Sequence, residues 1–225
     1  MKNLVRIFLI ASFPLLLFLV WLRIMLLPAF IEIEYRRPGF PDDPYGFSVE
    51  ERIRWANVSR SYLLSNAGED YFAQYHLADG APLYNEREMQ HMADVHNLVQ
   101  TGMTLLVVLL VLYLAGGAFL FWKSRDLLWR TLAAAGIGTF GLLVFLLVAV
   151  GLAWDWAFVT FHRVFFTGET WLFPYSDSLI RLFPVSFWQD GFAAAAIGML
   201  ATCLLVFSAA HFLPGRMKRK RPSDS

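Results

Sequence analysis

TGMTLLVVLLVLYLAGGAFLFW (residues 101–122) is followed, after the short passage KSRDLLWR (residues 123–130), by TLAAAGIGTFGLLVFLLVAVGLA (residues 131–153). Neither apolar stretch contains an Asp, Glu, Lys, Arg or His. About 20 apolar residues in a helix cross the hydrocarbon of a bilayer, so this passage reads as two membrane spans joined by a tight basic turn. Two further runs of the same kind lie at residues 1–30 and 191–213. The first begins with Lys2 and Arg6, like a signal peptide, but its apolar stretch outruns the usual 7–15 residues of such a segment. No small-residue cleavage pattern follows it. It reads as a retained helix, with Arg23 near its far end reaching for the interface.

Composition agrees. Apolar residues make up 57% of the 225 residues and charged residues only 16%, too few charges to clothe a water-soluble domain of this length. The single cysteine, Cys203, lies inside the fourth run, so an intrachain disulfide and a Cys-rich zinc or redox centre are both excluded. Small residues in the third run (Ala134, Gly138, Gly141) and the fourth (Gly191, Ala195, Gly198) predict seams where helices approach closely.

Orientation follows from the short flanks. Lys2 and Arg6 precede span one, Lys123, Arg125 and Arg130 fill the turn between spans two and three, and Arg216, Lys218, Arg219, Lys220 and Arg221 follow span four. These sets share one side, predicted to be cytoplasmic, with both termini on it. The tail at residues 214–225 suits anionic lipid rather than nucleic acid. Two long segments, 31–100 and 154–190, then face outward.

The first outer segment is predicted to be an α+β cap. Ile31-Glu-Ile-Glu-Tyr35 alternates like a short strand. Pro38, Gly39, Pro41, Asp42, Asp43, Pro44 and Gly46 make an irregular connection. Ser48-Val-Glu-Glu51 is a capping box that opens a helix to about Leu64. Tyr71–Leu77 and Ala81–Tyr84 flank Asp79-Gly80 as a hairpin. A second capping signal at Asn85-Glu-Arg-Glu88 opens a helix that runs through His91 and His96 into span two. His91 and Asp94 share a face of it, whereas His96 lies about 140° round. Asp94 either orients a nearby imidazole or is a surface carboxylate. His76 and His96 read as structural, and His211, at the other end of span four, is too distant to join a site.

The second outer segment is rich in Phe and Trp, which concentrate at membrane interfaces. His162, Arg163, Glu169, Asp177 and Arg181 are embedded among them. Ionisable groups beside apolar matter at interfacial depth point to function, although an isolated His162 reads equally well as a satisfied structural histidine. H-E-x-x-H and G-x-S-x-G are absent, so a metalloprotease and a nucleophile-elbow esterase lack support. Nothing in the sequence demands a metal or another cofactor. What remains is a histidine from each outer segment, able to give and take a proton near neutrality.

His91-Met-Ala-Asp-Val95 and Phe161-His-Arg-Val-Phe-Phe166, followed by Trp171, Pro174, Asp177-Ser-Leu-Ile180 and Leu182-Phe-Pro184, resemble the bacterial DUF1461 family of integral membrane proteins, which includes the lipoprotein intramolecular transacylases (Lit). The resemblance runs over nearly the whole chain. It implies transfer of the sn-2 acyl chain of a diacylglyceryl-cysteine lipoprotein to the cysteine's own α-amino group, with His91 and His162 as the functional pair. Partners would be diacylated bacterial lipoproteins and membrane lipids, at the outer leaflet of the cell membrane. On this reading either histidine can be the base; His162, in its aromatic setting, is preferred for that role, with His91, steadied by Asp94, as acid or oxyanion support. Arg163 and Arg181 either support the oxyanion, contact a lipid headgroup, or pair with Glu169 or Asp177. Two other readings fit the same architecture: a non-catalytic scaffold or accessory subunit, and a phospholipid-directed acyltransferase or hydrolase. The expected fold is an all-α membrane protein, a four-helix transmembrane bundle carrying the α+β cap and the aromatic interfacial segment.

Overall fold

A computed structural model describes residues 1–166 and 168–219. Thr167 and residues 220–225 lie outside the described residues, and with them Lys220 and Arg221 of the expected basic tail. The described chain is helical: α1 (Lys2–Met25), α2 (Pro28–Arg36), α3 (Val49–Leu63), α4 (Glu86–Lys123), α5 (Arg125–Leu152), α6 (Trp154–Phe165), α7 (Ser178–Leu182) and α8 (Val185–Arg219). Four helices are long and apolar enough to cross a membrane, namely Lys2–Met25, Glu86–Lys123, Arg125–Leu152 and Val185–Phe212. Only 17–28% of their apolar windows is buried inside the protein. Water would not tolerate so much outward apolar surface; lipid does. The protein is a multi-pass membrane protein.

The chain divides into two compact units. The first comprises Met1–Leu22, Leu105–Leu152 and the chain from Ala194 onward. Its seams differ from those expected. A Cβ on Gly138 or Gly141 would meet nothing, whereas one on Gly136 would come within 3.0 Å of the Cys203 carbonyl on α8. Close approach therefore uses the stripe Thr131, Ala135, Gly136, Thr139 and Leu143, which is the buried face of α5. Gly198 matches expectation, because its missing Cβ leaves room for the Trp21 ring. Tyr113 closes α1 against α4, its hydroxyl meeting Ser12 Oγ at 3.1 Å and donating to the Leu9 carbonyl.

The second unit comprises Arg23–Thr104 and Ala153–Ala193. The expected strand at Ile31–Tyr35 is a helix. Pro28 stands at its first turn, its fixed φ suiting a helix start. Alternation would turn Ile31, Ile33 and Tyr35 inward; the helix instead buries Ile31, Glu34 and Tyr35 and leaves Ile33 68% exposed. Glu34 is tolerated inside because Arg37 Nε donates to it at 2.9 Å. The expected hairpin shrinks to one bridge, His76 to Pro82, around Gly80 at φ +85°. Pro82 has no N–H to extend the ladder, and Glu69–Gln74 winds into a 3₁₀ turn that sets Phe72 against Tyr62 and Tyr84. The cap is thus helical rather than α+β among the described residues.

Both capping boxes form. Ser48 and Glu51 cap α3 reciprocally. At the start of α4 the Glu88 N–H donates to Asn85 Oδ1 at 3.0 Å, and the Asn85 N–H donates back to Glu88 Oε2 at 2.7 Å. The other oxygen, Oε1, accepts the Leu179 N–H at 2.6 Å, which ties the first turn of α7 to that of α4. Trp55, Tyr62, Phe72, Leu83, Tyr84, Met92, Leu179 and Leu182 form one core around this tie. Helix α4 has 38 residues, about 57 Å at ~1.5 Å per residue, roughly twice a hydrocarbon core. Its apolar part begins at Thr101, so Glu88 and His91 precede it.

Glu88 is 2% exposed, and each amide N–H it satisfies would cost about 1–3 kcal/mol if left buried without an acceptor. Glu88→Ala should therefore lower the unfolding midpoint of the detergent-solubilised protein substantially. Glu50→Ala, on the exposed face of α3, should change stability by no more than ~0.5 kcal/mol.

Candidate functional site

His91 sits one turn beyond the α4 capping box, on the face turned into the second unit, and is 8% exposed. The Phe166 ring meets it edge-on at 4.8 Å and Phe173 at 5.4 Å. His162 lies in the last turn of α6. Phe158 packs against it at 4.2 Å, Trp171 at 4.8 Å, and Phe161 and Phe166 at 5.4 Å each. The two imidazoles stand 6.2 Å apart, centroid to centroid, with 18° between their planes. The fold brings together a histidine from residues 31–100 and one from residues 154–190 and wraps both in aromatic rings.

This wrapping sets their protonation. Burial disfavours the imidazolium and pushes His91 down to about 4, with the neighbouring His162 adding to the effect. Burial also lowers His162, partly offset by the Phe158 carbonyl. Both rings are therefore neutral at neutral pH. His162 Nδ1 lies 2.8 Å from the Phe158 carbonyl. A carbonyl oxygen only accepts, so Nδ1 carries the hydrogen and Nε2 keeps its lone pair. The His91 Nδ1 and Trp171 Nε1 atoms are buried without hydrogen-bond partners among the described residues.

The supporting residues fare differently. Asp94 makes no hydrogen bond to His91: its Oδ1 faces Gln90 Nε2 at 3.4 Å and its Oδ2 is buried without a partner among the described residues. The His91 ring turns instead toward Phe166, Phe173 and His162. Arg181 pairs with neither Glu169 nor Asp177. Its guanidinium donates to Asp43 at 2.8 Å, stacks 3.6 Å over Phe47 and reaches the Tyr45 carbonyl. Burial alone would raise the Asp43 carboxyl, but Arg181 and the Phe47 N–H together hold it below the usual range. Arg163 and Glu169 are exposed, and Asp177 stands at the N-cap of α7. His96 is structural, its Nε2 2.9 Å from the Ser65 carbonyl and its ring 4.8 Å from Tyr62. A separate cleft of about 460 Å³ is lined by Pro41, Tyr45, Arg52, Tyr175 and Arg181 among others. Its cations are already engaged, Arg181 by Asp43 and Arg52 by the Pro41 carbonyl and the Tyr35 and Phe40 rings.

Two further contributors act through contacts between distant parts of the chain. Glu88 was legible as a cap, but its bond to Leu179 spans 91 positions and has no local signature. Arg87 Nη1 donates to the Leu172 carbonyl at 3.2 Å, holding the aromatic loop beside α4.

The histidine shifts have a definite sign. A histidine whose folded value lies below its unfolded one contributes stability that is complete above about 6.5 and eroded as the pH falls toward the folded value. For His91 that window runs from about 6.5 down to about 4. The stability difference between wild type and His91→Phe should therefore move against the wild type as the pH falls across it. Chemical denaturation of both proteins at stepped pH measures this.

Three comparisons bear on the whole arrangement. A family profile described as lipoprotein intramolecular transacylase Lit matches residues 5–188. An uncharacterized protein of Aquifex aeolicus (strain VF5) is 34% identical over 197 residues, 88% of each chain. Among solved structures, the membrane integral lipoprotein intramolecular transacylase Lit from Bacillus cereus shares the fold. It matches with a TM-score of 0.78 at 20% identity, over 98% of this chain and 99% of that one. A variant of that protein with one histidine replaced by alanine matches with a TM-score of 0.74 at 19% identity, over 98% of this chain and 96% of that one.

Proposed function

This chain belongs to the Lit family of lipoprotein intramolecular transacylases, and on that footing we propose that it moves the sn-2 acyl chain of a diacylglyceryl-cysteine lipoprotein onto the cysteine's own α-amino group. The product is a lyso-form lipoprotein. The observation that carries this reading is the pair of imidazoles stacked 6.2 Å apart in an aromatic enclosure. The substrate brings its own nucleophile, the amine, so the enzyme has only proton transfer and positioning to supply. The protein's single cysteine, Cys203, belongs to the other unit.

An N-terminal amine has a pKa near 8, and only its neutral form attacks. His162 Nε2 takes a proton from the amine nitrogen as that nitrogen adds to the sn-2 ester carbonyl. As the tetrahedral intermediate collapses, the C–N bond stays, the carbon–oxygen bond to glycerol breaks, and His162 returns the proton to the departing oxygen. His91, neutral because it is buried, offers an imidazole N–H to that same oxygen rather than a stored positive charge. General acid–base assistance of this kind contributes typically 10²–10⁴-fold. Holding an amine and an ester of one molecule in attack geometry contributes effective molarities on the order of 10⁵–10⁸ M. Arg163, exposed beside His162, meets a lipid phosphate, while Arg181 serves the structure through Asp43. The basic flanks support a topology with both termini in the cytoplasm of a bacterial cell and the site at the outer leaflet.

Mass spectrometry of a lipoprotein N-terminus, from a bacterium without such an enzyme and from the same strain expressing this protein, tests the reading. An N-acylated lyso-cysteine should appear only with the protein. His162→Ala should slow its formation by about 10²–10⁴-fold, His91→Ala should slow it too, and the double variant should be little worse than the poorer single one, since the pair acts as a unit. Unaltered lipoprotein in every strain would instead identify a scaffold. Acyl loss from phospholipid alone would identify a phospholipid-directed enzyme. With a synthetic lipopeptide, the rate should rise with pH through about 8, following the amine, without a separate histidine limb between about 6.5 and 7.

A further inference from the structure

We propose that Trp171 is a further catalytic residue: its indole N–H donates to the substrate's ester oxygen as that oxygen gains negative charge. This rests on the transacylase reading above and adds to it the donor that the two histidines leave unassigned.

An indole N–H can only donate, and buried donors are nearly always paired. The Trp171 Nε1 atom is buried and has no acceptor among the described residues. Among the described residues, backbone carbonyls of its sequence and ring neighbours already accept other donors. The Phe158 carbonyl holds His162 Nδ1. The Leu172 carbonyl holds Arg87, and the Glu169 carbonyl holds the Leu172 N–H. The other groups packed on the two imidazoles are the rings of Phe158, Phe161, Phe166 and Phe173, which offer no lone pair. Nor does the N–H point into the face of His162. The bond lies in the indole plane, and that plane is tilted only 35° from the imidazole, at a centroid distance of 4.8 Å. The indole nitrogen therefore lies in the same aromatic enclosure as the His162 ring.

The reaction determines what occupies it. The amine whose proton goes to His162 Nε2 is forming a bond to the ester carbon, so the carbonyl oxygen must lie within two bonds of that nitrogen. A donor flanking His162 meets this oxygen. As the C–N bond forms, the carbonyl π electrons move onto the oxygen, and the indole N–H holds the resulting anion without giving up its proton. On collapse the electrons return, the glycerol oxygen leaves, and its proton comes from His162. A donor fixed by ring packing in a water-poor enclosure, aimed at charge that exists only in the transition state, acts on turnover rather than on ground-state binding.

The test uses the full-length protein in lipid bilayers with a synthetic diacylglyceryl-cysteine lipopeptide. Two replacements at position 171 remove the donor: Trp171→Phe, and a site-specific 3-benzothienylalanine, which keeps the indole shape but has sulfur in place of N–H. A third, 7-azatryptophan, keeps both shape and N–H. Removing one such donor typically costs about 10²–10³ in kcat. Both donor-less proteins should show that loss with KM and the shape of the pH profile unchanged, and the azatryptophan protein should stay within about 10-fold of wild type. Full turnover by the benzothienylalanine protein overturns the proposal, whatever Trp171→Phe does to folding, because ring packing alone then suffices. A wild-type protein that makes no lyso-lipopeptide overturns the transacylase reading itself, a result distinguishable from active wild type with active benzothienylalanine protein.

Discussion

One buried carboxylate sets the geometry on which the site depends. Glu88 accepts the backbone N–H of Asn85, which starts α4, and the backbone N–H of Leu179, which starts α7. Three residues further along α4 stands His91, and the loop running into α7 carries Trp171 and Phe173. Fixing both helix starts to one carboxyl group therefore fixes the aromatic loop against the histidine. Burial raises the Glu88 carboxyl to about 7, the bonds from Leu179 and Asn85 partly opposing the rise. A group shifted upward in this way contributes stability that is complete below about 4.5 and lost as the pH rises through about 7, the reverse of the histidines.

Desolvation is the physical theme of the site. The same aromatic rings that exclude water lower both imidazoles, strengthen any polar interaction made inside, and leave N–H and ring-nitrogen groups without partners. In an ordinary core such orphaned groups would be a defect. On the transacylase reading proposed above, they are donors and acceptors held ready for an ester, and the rings are an apolar wall for its acyl chains.

Helices were more legible than strands. The alternation at Ile31–Tyr35 suggested a strand because a five-residue window cannot separate period 2 from a helix that buries positions 31, 34 and 35; Pro28 and the Arg37 partner of Glu34 settled it. The small-residue stripe on α5 was similarly underdetermined, since Gly136 and Gly138 look alike until a neighbouring helix passes one of them. Capping boxes are legible because their chemistry closes within four residues. The ion pair of Arg181 has no such local signature: its partner, Asp43, is 138 positions away in an irregular loop.

By itself the sequence determined the four apolar helices, the helix starts at Ser48 and Asn85, and the two segments that each carry a candidate histidine. These are local properties: run length, flanking charge and capping chemistry. Only the tertiary structure decided that His91 faces His162 rather than Asp94, and that Trp171 lies beside the pair with its N–H unspent. It also decided that a carboxylate legible only as a helix cap joins two distant elements. Such contacts depend on which faces of separate helices meet. That is set by the packing of the whole unit, and no short window of sequence contains it.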